Sequence, residues 1–261
     1  MLGTDGKRIY AIGDIHGCGA ALESLISRIR ADLQADPHPD PLIIFLGDYT
    51  DRGADSRGVI DQLVTLRDGL LPARFLRGNH DHCFISYIDT PDATTRHDLH
   101  WLDRAMGGAA TLRSYGVSVG LLSRPGARHA AFLEALPPAH HQFMGGTETL
   151  IQIGSYIFVH AGIQPETPLS AQDYQDLIWI REPFLSYPHD HPGIVVHGHT
   201  PVPDVEHHGN RIAVDTGAVF GGRLSCVILQ DDAAWDFIPA GRVEMRAGYG
   251  LTERPLGFSR S

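Results

Sequence analysis

The chain has little cysteine, little positive charge and no long apolar run, and each shortage removes a class of explanation. Its three cysteines (Cys18, Cys83 and Cys226) lack metal-ligand spacing, and an odd number cannot complete a disulfide framework. They read as small apolar thiols of a reduced, cytoplasmic protein. Lysine and arginine number 21 against 31 aspartates and glutamates, a formal net charge of −10. That argues against a broad surface for extended nucleic acid or an anionic membrane, which needs clustered cations. No stretch approaches membrane-spanning length, and Met1–Gly6 lacks the basic, then apolar pattern of a signal peptide. There is no internal repeat. What is present is a chain of 261 residues, 43% hydrophobic, enough for one large α/β domain or two small ones.

Apolar periodicity sets the expected organisation. Arg8–Ile12 and Ala73–Leu76 read as short strands, and Pro41–Leu46 is a continuous apolar run suited to a strand buried on both faces. Between them, Leu22, Leu25, Ile26 and Ile29, then Val59, Ile60, Leu63 and Val64, recur at helical spacing. Strand–helix alternation implies right-handed βαβ units and a largely parallel sheet. Residues 82–145 change character to helices broken by Gly and Pro, read as a helical insertion that caps the site within a single domain of residues 1–261. Strand-like runs return at Leu150–Ile153, Tyr156–Val159, Ile194–His197, Arg211–Val214, Leu224–Leu229 and Ala234–Ile238. Their close spacing suggests a second, mixed or antiparallel sheet. Residues 241–261 read as a loose tail.

Chemistry concentrates at the strand ends. Gly13-Asp14-Ile15-His16-Gly17, Gly47-Asp48-Tyr49-Thr50-Asp51-Arg52-Gly53 and Gly78-Asn79-His80-Asp81 each follow a strand-like run, with 29 and 24 residues between successive blocks. Val159-His160-Ala161-Gly162 and Val196-His197-Gly198-His199-Thr200 follow later. Parallel sheets collect ligands at the carboxyl ends of their strands, where these loops fall. Carboxylates, imidazoles and an amide without sulfur suit hard-to-borderline divalent metals. Asp14 and His16, two apart, would share one side of an extended segment.

The ordered set resembles the phosphoprotein phosphatase family of calcineurin-like metallophosphoesterases, with its GDxHG, GDxxDRG and GNH blocks and two later histidines. The resemblance implies a two-sheet sandwich with flanking helices and two divalent ions, with manganese expected and iron or zinc as alternatives. It implies that Asp14 and His16 bind one ion, that Asp48 bridges, and that Asn79, His160 and His199 hold the other. Such a pair acidifies a bridging water and clamps the phosphoryl group for in-line attack. Many relatives carry Gly-His-x-His at the last block; here Pro201 stands in the final position and His16 supplies the imidazole instead.

By the same resemblance Arg52 and Arg181 bind phosphate, a task that suits a planar guanidinium. His80 protonates the leaving alkoxide, and Asp51 orients and charges its imidazole. His197 is expected to support His199 rather than ligate. Most of the other histidines (82, 97, 100, 129, 140, 141, 189, 191, 207 and 208) are expected to be solvated. The substrate expected is phosphoserine or phosphothreonine in a protein, or another small phosphorylated molecule. Asp81, where protein phosphatases commonly have Glu, keeps dinucleoside tetraphosphates open as an alternative. An inactive binding module would need a missing ligand or acid, and every expected position is filled.

Overall fold

The structure, a computed structural model, describes residues 3–120 and 123–250. Strand β1 (Arg8–Ile12) leads through helix α1 (Gly19–Ala35) to β2 (Pro41–Phe45), then through α2 (Ser56–Arg67) to β3 (Ala73–Phe75). These three strands are parallel and adjacent, with β1 beside β2 and β2 beside β3. Four helices follow: α3 (Asn79–Asp89), α4 (Gly108–Ser114), α5 (Pro125–Ala135) and α6 (Pro138–Gly145). A second sheet then forms from β4 (Leu150–Ile153), β5 (Tyr156–Val159), β6 (Ile194–His197), β7 (Glu206–His207) and β8 (Arg211–Ala213), in the order β4-β5-β6-β8-β7. Helix α7 (Tyr174–Trp179) lies between β5 and β6 in sequence.

Alternate residues of the central strands serve different cores. Ile9, Ala11, Leu42 and Ile44 face Ile151, Phe158, Val196 and Ile212 across the two sheets. Tyr10, Ile12, Ile43 and Phe45 instead pack under the helices with Leu22, Ile29, Val59 and Leu63. A strand covered on both faces has no polar side, which is why Pro41–Leu46 is continuously apolar.

The late strands depart from expectation. Strand β9 (Cys226–Gln230) does not extend the second sheet; it pairs antiparallel with β1, and β10 (Ala233–Ile238) pairs with β9. The expected loose tail contains strand β11 (Gly241–Met245), which closes the order β11-β10-β9-β1-β2-β3. Residues 251–261 lie outside the described residues. The reason is a register across the chain: Arg8–Ile12 pairs with Cys226–Gln230, and Arg242 on β11 reaches Asp32 of α1 at 2.6 Å. Those partners sit too far away in sequence for periodicity to reveal.

Candidate active site

All five motif loops meet where the two sheets present the ends of β1, β2, β3, β5 and β6. His16 is not in an extended segment: its φ is +45°, because the amides of Ile15 and His16 both donate to the Asp48 carbonyl, at 3.1 and 2.9 Å. Nine non-glycine residues among those described have positive φ, and five of them are His16, Asp48, Asp51, Arg52 and His199. Backbone strain of this kind gathers where surrounding structure over-determines it. Close packing does so here. A Cβ on Gly78 would sit 2.0 Å from Asp48 Oδ1, and one on Gly198 2.1 Å from Asp14 Oδ1. Glycine is therefore required at both positions because a carboxylate fills the space. Gly198→Ala should displace Asp14 and lower kcat/KM about tenfold, since sub-ångström misplacement is costly in such sites; steady-state kinetics on p-nitrophenyl phosphate would check it.

The donors fall around Asp48. His16, Asp48 and His80 offer ligand atoms within 4.8 Å of one another, and so do Asp48, His160 and His199. His160 Nδ1 lies 2.9 Å from the Leu46 carbonyl, so that nitrogen carries the proton. Its Nε2 lone pair then faces Asn79 Oδ1 at 3.0 Å and Asp48 Oδ2 at 3.4 Å. The same logic applies to His16, whose Nδ1 sits 2.7 Å from the Thr50 carbonyl and whose Nε2 lies 3.5 Å from Asp48 Oδ2. Lone pairs thus converge on one Asp48 oxygen from two sides with no proton between them, an arrangement that a cation relieves. The carbonyl behind each ring is the usual partner of a metal-ligating histidine. His199 adds a buried Nε2 with no partner among the described residues, and its Nδ1 sits 2.9 Å from Asn79 Oδ1.

Electrostatics agree with that fit. Burial pushes the His16 ring down to about 3 and lowers His160 and His199 as well, so all three are neutral, with the His16 Nε2 lone pair accepting from Arg52. Burial, with Asp215 and Asp48 nearby, pushes the Asp14 carboxyl well above the usual range. Asp215, buried and close to Asp48, rises to about 6. Crowded carboxylates of this kind call for positive charge. Asp14 stands apart from the compact group at His16; its oxygens accept the His199 amide at 3.1 and 3.2 Å. Asp215 was not singled out from the sequence, although its Asp-Thr-Gly turn after an apolar run was the available signal.

Two residues turn inward, away from the cavity. Asp81 does not face substrate. It is fully buried, and its carboxylate accepts the amides of Asp48, Gly78 and Tyr49 at 2.7–2.9 Å, fixing the loops that carry Asp48 and Asn79. Residue 81 is therefore a brace inside the site, and its side chain says nothing direct about substrate. Trp101 is likewise buried, with its indole N–H donating to Asp51 Oδ2 at 2.8 Å. Thr111 donates to the other oxygen at 2.7 Å, and His80 Nδ1 lies 2.8 Å from Oδ2. The 82–145 insertion thus buttresses Asp51 from beneath as well as walling the site. Trp101→Phe keeps an aromatic ring but removes the donor to a buried carboxylate, so a loss of roughly tenfold or less in kcat is expected, with Tm lowered by a few degrees.

A cavity of about 260 Å³ opens over this floor, lined by Asp48, Asn79, His80 and His199, by Arg52 and Arg181, and by Trp179 with residues of the insertion. Arg52 Nη1 lies 2.7 Å from His16 Nε2, and its guanidinium stands 5.6 Å from the Phe220 ring. His197 is buried and points away: its Nδ1 meets the Gly198 carbonyl at 3.1 Å and its Nε2 meets Arg211 at 3.3 Å. Two histidines expected to be solvated are not: His140 is buried between Tyr115 and Asp61, and His207 is buried in β7. His97 is exposed, as expected, and lines the cavity.

Known proteins resemble the chain over most of its length. The chain is 28% identical over 228 residues to serine/threonine-protein phosphatase 1 of Salmonella typhimurium, covering 86% of this chain and 93% of that one. It is 25% identical over 234 residues to the asymmetrical bis(5'-nucleosyl)-tetraphosphatase PrpE of Bacillus cereus, covering 82% and 87%. A solved structure assigned as a diadenosine tetraphosphatase superposes with a TM-score of 0.61 at 21% identity, covering 95% and 97% of the two chains. The family model of calcineurin-like phosphoesterases matches residues 7–229. With β1 to β8 and every motif loop inside that match, the chain belongs to the calcineurin-like phosphoesterases and is a hydrolase of phosphoric esters.

Proposed function

We propose that the protein is a phosphomonoesterase that dephosphorylates serine and threonine side chains of proteins, in the cytoplasm, with two manganese ions. Asp14, His16 and Asp48 would hold one ion, and Asp48, Asn79, His160 and His199 the other. Bound there, the ions supply the charge that clamps the phosphoryl group and acidifies an attacking water. Arg52 and Arg181 bind the phosphate oxygens from opposite parts of the wall, as guanidinium donors match them in pairs. His80, with Nδ1 tied to Asp51, presents its other nitrogen to the leaving oxygen and gives it a proton.

The observation that carries the protein-substrate reading is the cavity. At about 260 Å³ it is below the ~300–1,000 Å³ usual for pockets enclosing a drug-sized ligand, so it suits a phosphate and one narrow neighbour. Trp101 of the insertion is buried under Asp51 and offers no face to a base. One feature favours the second reading, a dinucleoside tetraphosphatase: Phe220 is 68% exposed beside Arg52 and could stack a base outside the cavity. Both readings share the site, and relatives of this chain bear both names. Turnover of phosphopeptides, p-nitrophenyl phosphate and diadenosine tetraphosphate with Mn²⁺ separates them. Faster turnover of diadenosine tetraphosphate than of phosphopeptides would overturn the leading choice.

A further inference from the structure

We propose that the turn at residues 94–100 reads the substrate beyond the scissile phosphate, with His97 donating a ring N–H to an anionic side chain next to the phosphorylated residue. The inference rests on the protein-substrate reading above and names the class: phosphopeptides with an acidic neighbour.

The turn is built to hold one shape. Thr94 bridges to His100, the Thr95 amide donates to the Leu99 carbonyl at 2.8 Å, and Asp98 takes a left-handed φ of +58°. Thr95 Oγ1 accepts the amides of both His97 and Leu99 at 3.2 Å. At its base, His100 Nε2 meets the Pro91 carbonyl at 2.6 Å, and the His100 amide donates to Asp103. The tip is fastened to the second half of the chain. Arg96 pairs with Asp176 of α7 at 2.9 Å, and the His97 ring stands edge-on to Trp179 at 5.1 Å.

That fastening carries His97 and Leu99 into the cavity wall with Trp179 and Arg181. The side chain of His97 is exposed, and its ring nitrogens have no hydrogen-bond partner among the described residues. An imidazole can donate to an anion whether neutral or protonated. The charge around the mouth points the same way. Among the described residues, Asp48 at the floor is the only carboxylate lining the cavity, against Arg52 and Arg181, in a chain of net charge −10. Asp176, the acid nearest the tip on α7, is already matched by Arg96. A mouth so biased favours a second negative group over a neutral one.

Paired phosphopeptides that differ only by Asp or Ala beside the phosphoserine provide the test, assayed with wild type, His97→Ala and His97→Asn in the Mn²⁺-loaded enzyme. Wild type should show a lower KM for the acidic peptide. His97→Ala should raise that KM about fivefold to tenfold with kcat within about twofold, leave the Ala peptide unchanged, and Asn should restore part of the preference. Equal changes on both peptides, or none on either, would overturn the inference. Absence of turnover on any phosphopeptide refutes the protein-substrate reading; the subsite is then read from diadenosine tetraphosphate against p-nitrophenyl phosphate. In that case a KM rise confined to the former supports it, and an equal response overturns it.

Discussion

Chelation of divalent metal is expected to abolish hydrolysis of every phosphate ester by this protein, and Mn²⁺ to restore it. The cavity lining contains no serine, threonine or cysteine to attack phosphorus. At and beneath its floor acceptors face one another: His160 Nε2 lies 3.0 Å from Asn79 Oδ1 and 3.4 Å from Asp48 Oδ2, and His16 Nε2 lies 3.5 Å from the same Asp48 oxygen. Their chemistry is that of ligands, and stripping the ions removes both the clamp on phosphate and the counter-charge for Asp14, Asp48 and Asp215. Stability should follow. Each ion present at a hundredfold over its Kd would contribute about 2.7 kcal/mol, an upward shift of roughly 5–10 °C in Tm for a chain of this size. Full activity in a sample shown to be metal-free by elemental analysis would sink the assignment.

His80→Asn is expected to retain metal yet slow turnover of alkyl phosphates by roughly a hundredfold or more, the usual cost of losing a general acid. The geometry isolates this role. His80 sends Nδ1 to Asp51 at 2.8 Å, and Asp51 is fixed in turn by Trp101 and Thr111, so the ring has one orientation. Only its backbone amide touches Asp48, at 3.0 Å, and that contact survives the substitution. The loss should shrink on p-nitrophenyl phosphate, whose leaving group needs little protonation. An equal loss on both esters, or a fall in bound metal, would remove His80 from the acid's place. Asp48→Asn makes the contrast, since metal content and rate should fall together.

The site's residues were legible because each motif follows an apolar strand and each glycine in it is required by a neighbouring atom. Gly78 against Asp48 and Gly198 against Asp14 are examples in which the spacing of a motif records a contact. The βαβ order was legible for a similar reason: its partners are near in sequence, and double-sided burial leaves an unbroken apolar run. Orientation was not legible. Asp81 and Trp101 stand in motif and insertion as though available to substrate, and both turn inward to hold Asp48 and Asp51. His140 reads as an ordinary loop histidine until Tyr115 and Asp61 close on its two nitrogens. Strand β11 was missed since its polar, half-exposed residues are specified by pairing to β10 and not by burial.

The pairing of β1 with β9 bears on how the protein is made. Arg8–Ile12 finds its second neighbour only in Cys226–Gln230, more than 200 residues later. At 5–20 residues per second, a ribosome needs roughly 10 to 40 s to supply it. All ten candidate site residues, from Asp14 to His199, emerge before that strand does. A nascent chain therefore holds every group the chemistry needs while one edge of the strand that leads into Asp14 is still open. Such an edge invites pairing with other chains. Contacts this distant in sequence also slow folding after release. A nonsense product ending before Cys226 should accumulate as insoluble protein despite carrying the complete set of catalytic side chains.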